Sequence, residues 1–199
     1  MTRQLSILFA ATLASTGRAQ APVAPSRALP PQSVSLSDLT AFQPTSANWR
    51  VVGVATADRN LPLAMAAEPG TGVLVNTPAP ATRGNLFTTW EHGDLDLSLD
   101  VMMPKESNSG VYLMGRYEVQ LLDSWGVRAP TFADLGGIYQ RWDDARGAGR
   151  EGFEGAPPRQ NASRAPGLWQ HLEISFRAPT FAGGRKVTNA RFVVVKLNG

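Results

Sequence analysis

Residues 94–103 read DLDLSLDVMM. Leu95, Leu97, Leu99, Val101 and Met103 occupy one parity, and Asp94, Asp96, Ser98, Asp100 and Met102 the other. A period of two, apolar on one side and charged on the other, describes a half-buried antiparallel strand rather than a helix. Residues 171–177 (HLEISFR) repeat the pattern, with Leu172, Ile174 and Phe176 turned inward. Around these two lie further β-branched or aromatic runs at 49–54, 72–76, 110–114, 117–122, 137–140 and 191–197, bounded by Gly, Pro, Asn and Asp. No long amphipathic helix alternates with them, which excludes a doubly wound fold and predicts an all-β, two-sheet antiparallel sandwich. A single helical turn capped at Ser37-Asp38-Leu39 is expected before Pro44, and no internal repeat is visible.

Composition agrees. The chain has 199 residues, enough for one domain and a short appendage, and Gly (19) and Pro (15) favour a turn-rich β protein. Cysteine is absent, which rules out disulfides, thiolate metal sites and a cysteine nucleophile. Two histidines, His92 and His171, exclude a three-histidine metal site. The 19 Lys+Arg exceed the 16 Asp+Glu by three, and no basic run exceeds two residues. A nucleic-acid partner is therefore not expected.

The N-terminus carries the parts of a secretory signal peptide: Arg3, an apolar run at 5–14, and small residues ending at Ala19. The run is too short to span a bilayer, which takes about 20 residues. Export to a periplasm or the exterior is the expectation, and losing Arg3 and Arg18 leaves 17 basic residues against 16 acidic. Residues 20–33, with Pro22, Pro25, Pro30 and Pro31, read as a linker, so the folded domain is expected to occupy 34–199. Asn198-Gly199 after the strong run at 191–197 favours a hairpin turn, so a C-terminally truncated sandwich lacking closing strands is expected.

The richest chemistry lies in residues 107–126, SNSGVYLMGRYEVQLLDSWG. A tight hairpin at Gly115-Arg116 would join 111–114 to 117–122, with Glu118 and Gln120 on one face. Asp123 has the other parity, and a bulge at Leu121-Leu122 would return it to the Glu118 face. Two carboxylates on rigid sheet suit acid/base chemistry on a sugar, because repulsion and partial burial split their pKa values. Trp125, Tyr139, Trp142 and Trp90 supply aromatic faces for sugar C–H surfaces, while Trp49 and Trp169 are expected in the core. Asp134 and Asp143-Asp144 read as solvated loop acids. The spacing Glu118-x-Gln120-x-x-Asp123 resembles the E-x-D-x-x-E strand of laminarinase-type retaining β-glucanases. It departs at the middle and last positions, which counts against an ordinary retaining pair with carboxyls ~5–5.5 Å apart. No cofactor is demanded by the spacing; Glu118, Asp123 and nearby oxygens could hold a hard divalent cation such as Ca²⁺.

Five stretches, Trp90-Glu91-His92-Gly93-Asp94, the run 107–112 (SNSGVY), the run 115–124 (GRYEVQLLDS), Gly136-Gly137-Ile138-Tyr139 and the run 161–170 (NASRAPGLWQ), together resemble the 3-keto-disaccharide hydrolase family. The resemblance implies a concanavalin-A-like jelly roll, secretion in many bacterial members, and cleavage of glycosides already oxidised at sugar C3. A C3 ketone acidifies the C2 proton; a carboxylate removes it, and the C1 substituent leaves by elimination, with water able to add afterwards. On this reading Glu118 is the base, Gln120 and Arg116 are donors to the keto oxygen, and Asp123 or His92 is the acid. Asn108 and Tyr139 join Trp125 and Trp142 as sugar contacts. A non-catalytic, lectin-like carbohydrate-binding module on the same fold is the alternative, and fold alone does not choose between them.

Overall fold

In the computed structural model, residues 30–44 and 46–199 are described; the expected signal peptide and the linker as far as residue 29 lie outside them. Residues 34–199 form one unit. Its strands are β1 (Trp49–Ala57), β2 (Met65–Asn76), β3 (Leu95–Met102), β4 (Asn108–Leu113), β5 (Tyr117–Leu122) and β6 (Arg141–Trp142). After a 3₁₀ turn at Asp144–Arg146 follow β7 (Gly152–Phe153), β8 (Trp169–Arg177), β9 (Thr180–Ala182), β10 (Arg185–Thr188) and β11 (Arg191–Leu197). All pairings between these strands are antiparallel. The chain is the all-β antiparallel sandwich that its period-two patterning requires.

One sheet has the order β11-β8-β3. Its register sets Leu99 opposite Leu172, Leu97 opposite Ile174 and Leu95 opposite Phe176, so the inward parities of β3 and β8 coincide. The facing layer is the β4–β5 hairpin, extended on its other side by a bridge from Val119 to Ile138 and from Ile138 to Ala156. Between the layers, Leu113, Val119, Leu121, Leu135, Leu172, Ile174 and Phe176 form the buried core with Met103. Phe176 is fully buried, with ring centroids of Tyr117 and Phe192 at 5.5 and 5.4 Å. The β1–β2 hairpin has its own cluster of Val52, Ala55 and Val75, packed with Met102.

The opposite face of β3 and β8 is solvated and charged. His171 Nδ1 lies 2.8 Å from Asp100, and Arg177 lies 3.0 Å from Asp96. Exposed pairs of this kind contribute about 0–1 kcal/mol each. Burial of the inward parity does most of the stabilising.

Several local expectations are corrected. Trp169 is exposed rather than in the core, because it stands on the outward parity of β8. The Ser37-Asp38-Leu39 turn is not helical: Thr40 N–H donates to Asp38 Oδ1 at 2.9 Å and Phe42 N–H to Leu39 O at 3.0 Å. Strand β2 starts earlier than its apolar run and contains Pro69; the register shifts opposite Gly53, so no ladder donor is needed there. The 137–140 run pairs at Ile138 alone. The β9–β10 hairpin around Gly183-Gly184 is exposed throughout, so it lacks the alternation that would have announced it.

Phe176→Ala is expected to cost about 3–5 kcal/mol, the range for emptying a large aromatic from a core. Asp100→Asn should cost less than about 1 kcal/mol. Urea unfolding followed by far-UV circular dichroism checks both.

Candidate active site

The site begins with the turn between β4 and β5. Met114 and Gly115 both have positive φ (54° and 61°), and Arg116 N–H closes the turn on Leu113 O at 3.1 Å. The turn therefore centres on Met114-Gly115, one residue earlier than expected. From it the two strands pair without a break: Val111 opposite Val119, Tyr112 opposite Glu118, Gly110 opposite Gln120 and Asn108 opposite Leu122. Alternation then points Val111, Val119 and Leu121 into the core and Asn108, Gly110, Tyr112, Glu118 and Gln120 to the other face.

On that face Tyr112 Oη donates to Glu118 Oε2 at 2.7 Å. The Glu118 carboxylate lies across Gly110: a Cβ at 110 would overlap Oε1 and sit 2.8 Å from Cδ, so only glycine leaves room for it. Gln120, 3% exposed, donates Nε2–H to Asn108 Oδ1 at 3.1 Å. Gln120 Oε1 accepts no hydrogen bond among the described residues. On the far side of β5, Tyr139 N–H donates to Glu118 O at 3.0 Å and Gln120 N–H to Gly137 O at 2.8 Å, which sets Tyr139 beside Glu118.

Phe132 completes this wall. Its ring meets Tyr139 edge-on, with centroids 5.4 Å apart. Glycine at 155 makes room for it, since a Cβ there would lie 2.5 Å from the ring, and a Cβ at 137 would strike the Phe132 carbonyl. The loop carrying Phe132 is held by Asp134, whose Oδ2 accepts from Thr131 N–H at 2.7 Å and Thr131 Oγ1 at 3.0 Å. Burial opposes the charge on Asp134, yet hydrogen bonds from Thr131 and Ser124 hold its carboxyl below the usual range. Asp134 is thus a buried loop clamp, not the solvated acid its composition suggested.

Electrostatics single out Glu118. Burial pushes its carboxyl above the ordinary value, against the lowering effect of the Tyr112 hydrogen bond. Burial, and then the bond and charge of Glu118, push the Tyr112 phenol up to about 12. A carboxylate made more basic by burial and flanked by phenols is suited to removing a carbon-bound proton.

The remaining sequence candidates fall elsewhere. The bulge at Leu121-Leu122 does not form, so Asp123 keeps the wrong parity for the Glu118 face. Its oxygens accept Glu106 N–H at 3.0 Å and Trp125 N–H at 3.3 Å. The proposed Glu118–Asp123 pair is therefore not assembled. His92 is pinned too: Met114 N–H donates to Nε2 at 3.0 Å, and Nδ1 lies 2.9 Å from Gly93 O. Its ring packs edge-on against Phe176, 6.1 Å between centroids, so it anchors the hairpin turn to the core. Arg116 is exposed in the turn and forms no ion pair among the described residues. Trp125 is exposed beneath the Arg59 guanidinium, 5.5 Å from its centroid. Trp142 is exposed and donates Nε1–H to Asp144 Oδ1 at 2.8 Å.

Tyr112 and Phe132 were missed from sequence. Tyr112 was legible in principle, because it and Glu118 stand equally far from Gly115 in the hairpin. Phe132 carried no such signal. Neither of two hollows on the described surface includes Glu118. One, about 700 Å³, lies between β11 and residues 156–162; the other, about 290 Å³, lies around Asn48, Asn76 and Arg83. The site is an open sheet face walled by aromatic rings. Among the described residues no three His, Asp or Glu side chains cluster as metal ligands.

This antiparallel sandwich with a half-buried carboxylate of raised proton affinity on its face belongs to a recognisable family. Residues 37–199 match the 3-keto-alpha-glucoside-1,2-lyase-like domain, and the chain belongs to that family of carbohydrate-active proteins. No curated protein and no solved structure matches the chain. Among the described residues, no helix is long and apolar enough to cross a membrane.

Two measurements test the site. Gly110→Ala should displace the flexible Glu118 carboxylate from Tyr112 while leaving the fold intact, so ultraviolet titration of the phenols should show the Tyr112 value falling back towards 10. Glu118→Gln tests the buried proton. Because the folded value is raised, the group's stabilising contribution is complete below 4.5 and is lost as pH rises through the folded value. Wild type should therefore lose stability relative to Glu118→Gln as pH rises above 4.5, read from urea midpoints.

Proposed function

We propose that this chain cleaves 3-keto-glycosides, with Glu118 as the base that removes the proton at sugar C2. The observation that carries this reading is the Glu118 carboxyl itself: half-buried, raised in pKa, and seated by Gly110 between Tyr112 and Tyr139. The family description supports the substrate class. A ketone at C3 makes the C2 proton acidic enough for a carboxylate of elevated basicity. Loss of that proton gives an enolate; the C1–O bond then breaks with its electron pair going to oxygen, leaving a 1,2-enone to which water can add. Gln120, with an acceptor to spare, and Asn108 are the proposed polar contacts to the sugar, and Tyr139 with Phe132 its apolar wall. An N-terminus patterned for export is consistent with a substrate met outside the cytoplasm.

The exposed rings of Trp125 and Trp142 favour a second reading, a carbohydrate-binding module without catalysis. Turnover separates the two. On a 3-keto-glucoside, Glu118→Gln should reduce release of the aglycone by at least about 100-fold, the usual scale for a lost general base. Asp123→Asn, altered only in a loop contact, should remain within a few-fold of wild type. Near-wild-type turnover by Glu118→Gln removes Glu118 from the mechanism; binding without any turnover by wild type favours the module.

A further inference from the structure

The geometry points to Tyr112 as the acid of the reaction, working with Glu118 as a two-residue proton relay on one face of the sugar; this rests on the reading that Glu118 is the base. Elimination across C1–C2 needs two proton transfers at adjacent atoms, one taken from C2 and one given to the departing O1. The sequence offered Asp123 and His92 for the second, and both are engaged in local backbone contacts. Tyr112 is the group that touches the base: its Oη lies 2.7 Å from Glu118 Oε2, and at 52% exposure it opens onto the face a substrate would approach.

The chemistry balances. Glu118 accepts the C2 proton, and the C–H pair becomes the enolate. As the C3 carbonyl re-forms, the C1=C2 bond forms and the C1–O1 pair leaves on O1. Tyr112 gives its phenolic proton to O1, releasing an alcohol, and protonated Glu118 returns a proton to the tyrosinate through the bond that joins them. Both residues end in their starting states, and no oxidant or further reactant is needed. The raised Tyr112 value, about 12, keeps the phenol protonated at neutral pH, yet leaves it a stronger acid than the departing aliphatic alcohol. The titratable groups facing Glu118 are Tyr112 from β4 and Tyr139 from the adjoining segment. Tyr139 neighbours the pair, but it makes no hydrogen bond to the Glu118 carboxylate among the described residues.

A leaving-group comparison tests the relay. Wild type, Tyr112→Phe and Glu118→Gln are assayed on the 3-keto forms of methyl glucoside and 4-nitrophenyl glucoside. An alkoxide needs an acid and a nitrophenolate does not. Tyr112→Phe should therefore lose about 100-fold on the methyl glycoside and only a few-fold on the nitrophenyl one. Glu118→Gln should lose activity on both. The acid limb of kcat/KM should also move to higher pH in Tyr112→Phe, because the removed bond lowers the Glu118 value. An equal loss on both substrates, or no loss on either, overturns Tyr112 as the acid while leaving Glu118 as base. A wild-type chain inert towards both overturns the functional reading and the relay with it.

Discussion

The unbroken pairing of β4 with β5 is the constraint on which the site rests. Antiparallel register places Tyr112 opposite Glu118, and the parity that sends Val111, Val119 and Leu121 into the core sends those two to the other face. A slip of one residue would exchange the faces, burying a carboxylate and exposing the core apolar residues. Val119 is fully buried and Leu121 nearly so, which makes such a slip costly. The core therefore holds the site in register from behind.

Space on the face is made by absent side chains. Gly110 lets the Glu118 carboxylate lie down across β4, and glycines at 137 and 155 admit Phe132 against Tyr139. The carboxylate is thus partly desolvated by neighbours rather than sunk in a cavity. That partial burial raises its proton affinity while the open face leaves it reachable, and the Tyr112 bond limits how far the value rises. The acids on the opposite sheet differ: Asp96 and Asp100 stand in water beside Arg177 and His171, where their charge is tolerated at little cost or gain.

Loops outside the hairpin contribute through buried polar clamps. Asp134 folds the loop that presents Phe132, Ser124 Oγ accepts Leu135 N–H at 3.0 Å, and Asn161 donates to Ser124 O at 2.7 Å. His92 ties the hairpin turn to Phe176 in the core. Residues with the chemistry of catalysts can thus be scaffold, and their role is decided by which backbone donors reach them first.

What the chain by itself determined is the part governed by local periodicity. The alternation of Leu95 to Met103, of Leu172 to Phe176 and of Val119 to Leu121 settles strand type and facing, because a strand's side chains must alternate. It also settles that Glu118 and Gln120 share a face. Which distant groups join them is set by the packing of the layers and loops. Asp123 depended on a bulge that the β4 partner does not induce, and Asp134 on a loop whose backbone donors turned inward. Phe132 reaches Tyr139 through two glycines far apart in the chain. Such contacts depend on register between strands and on burial from several elements at once, and a single strand's pattern carries neither.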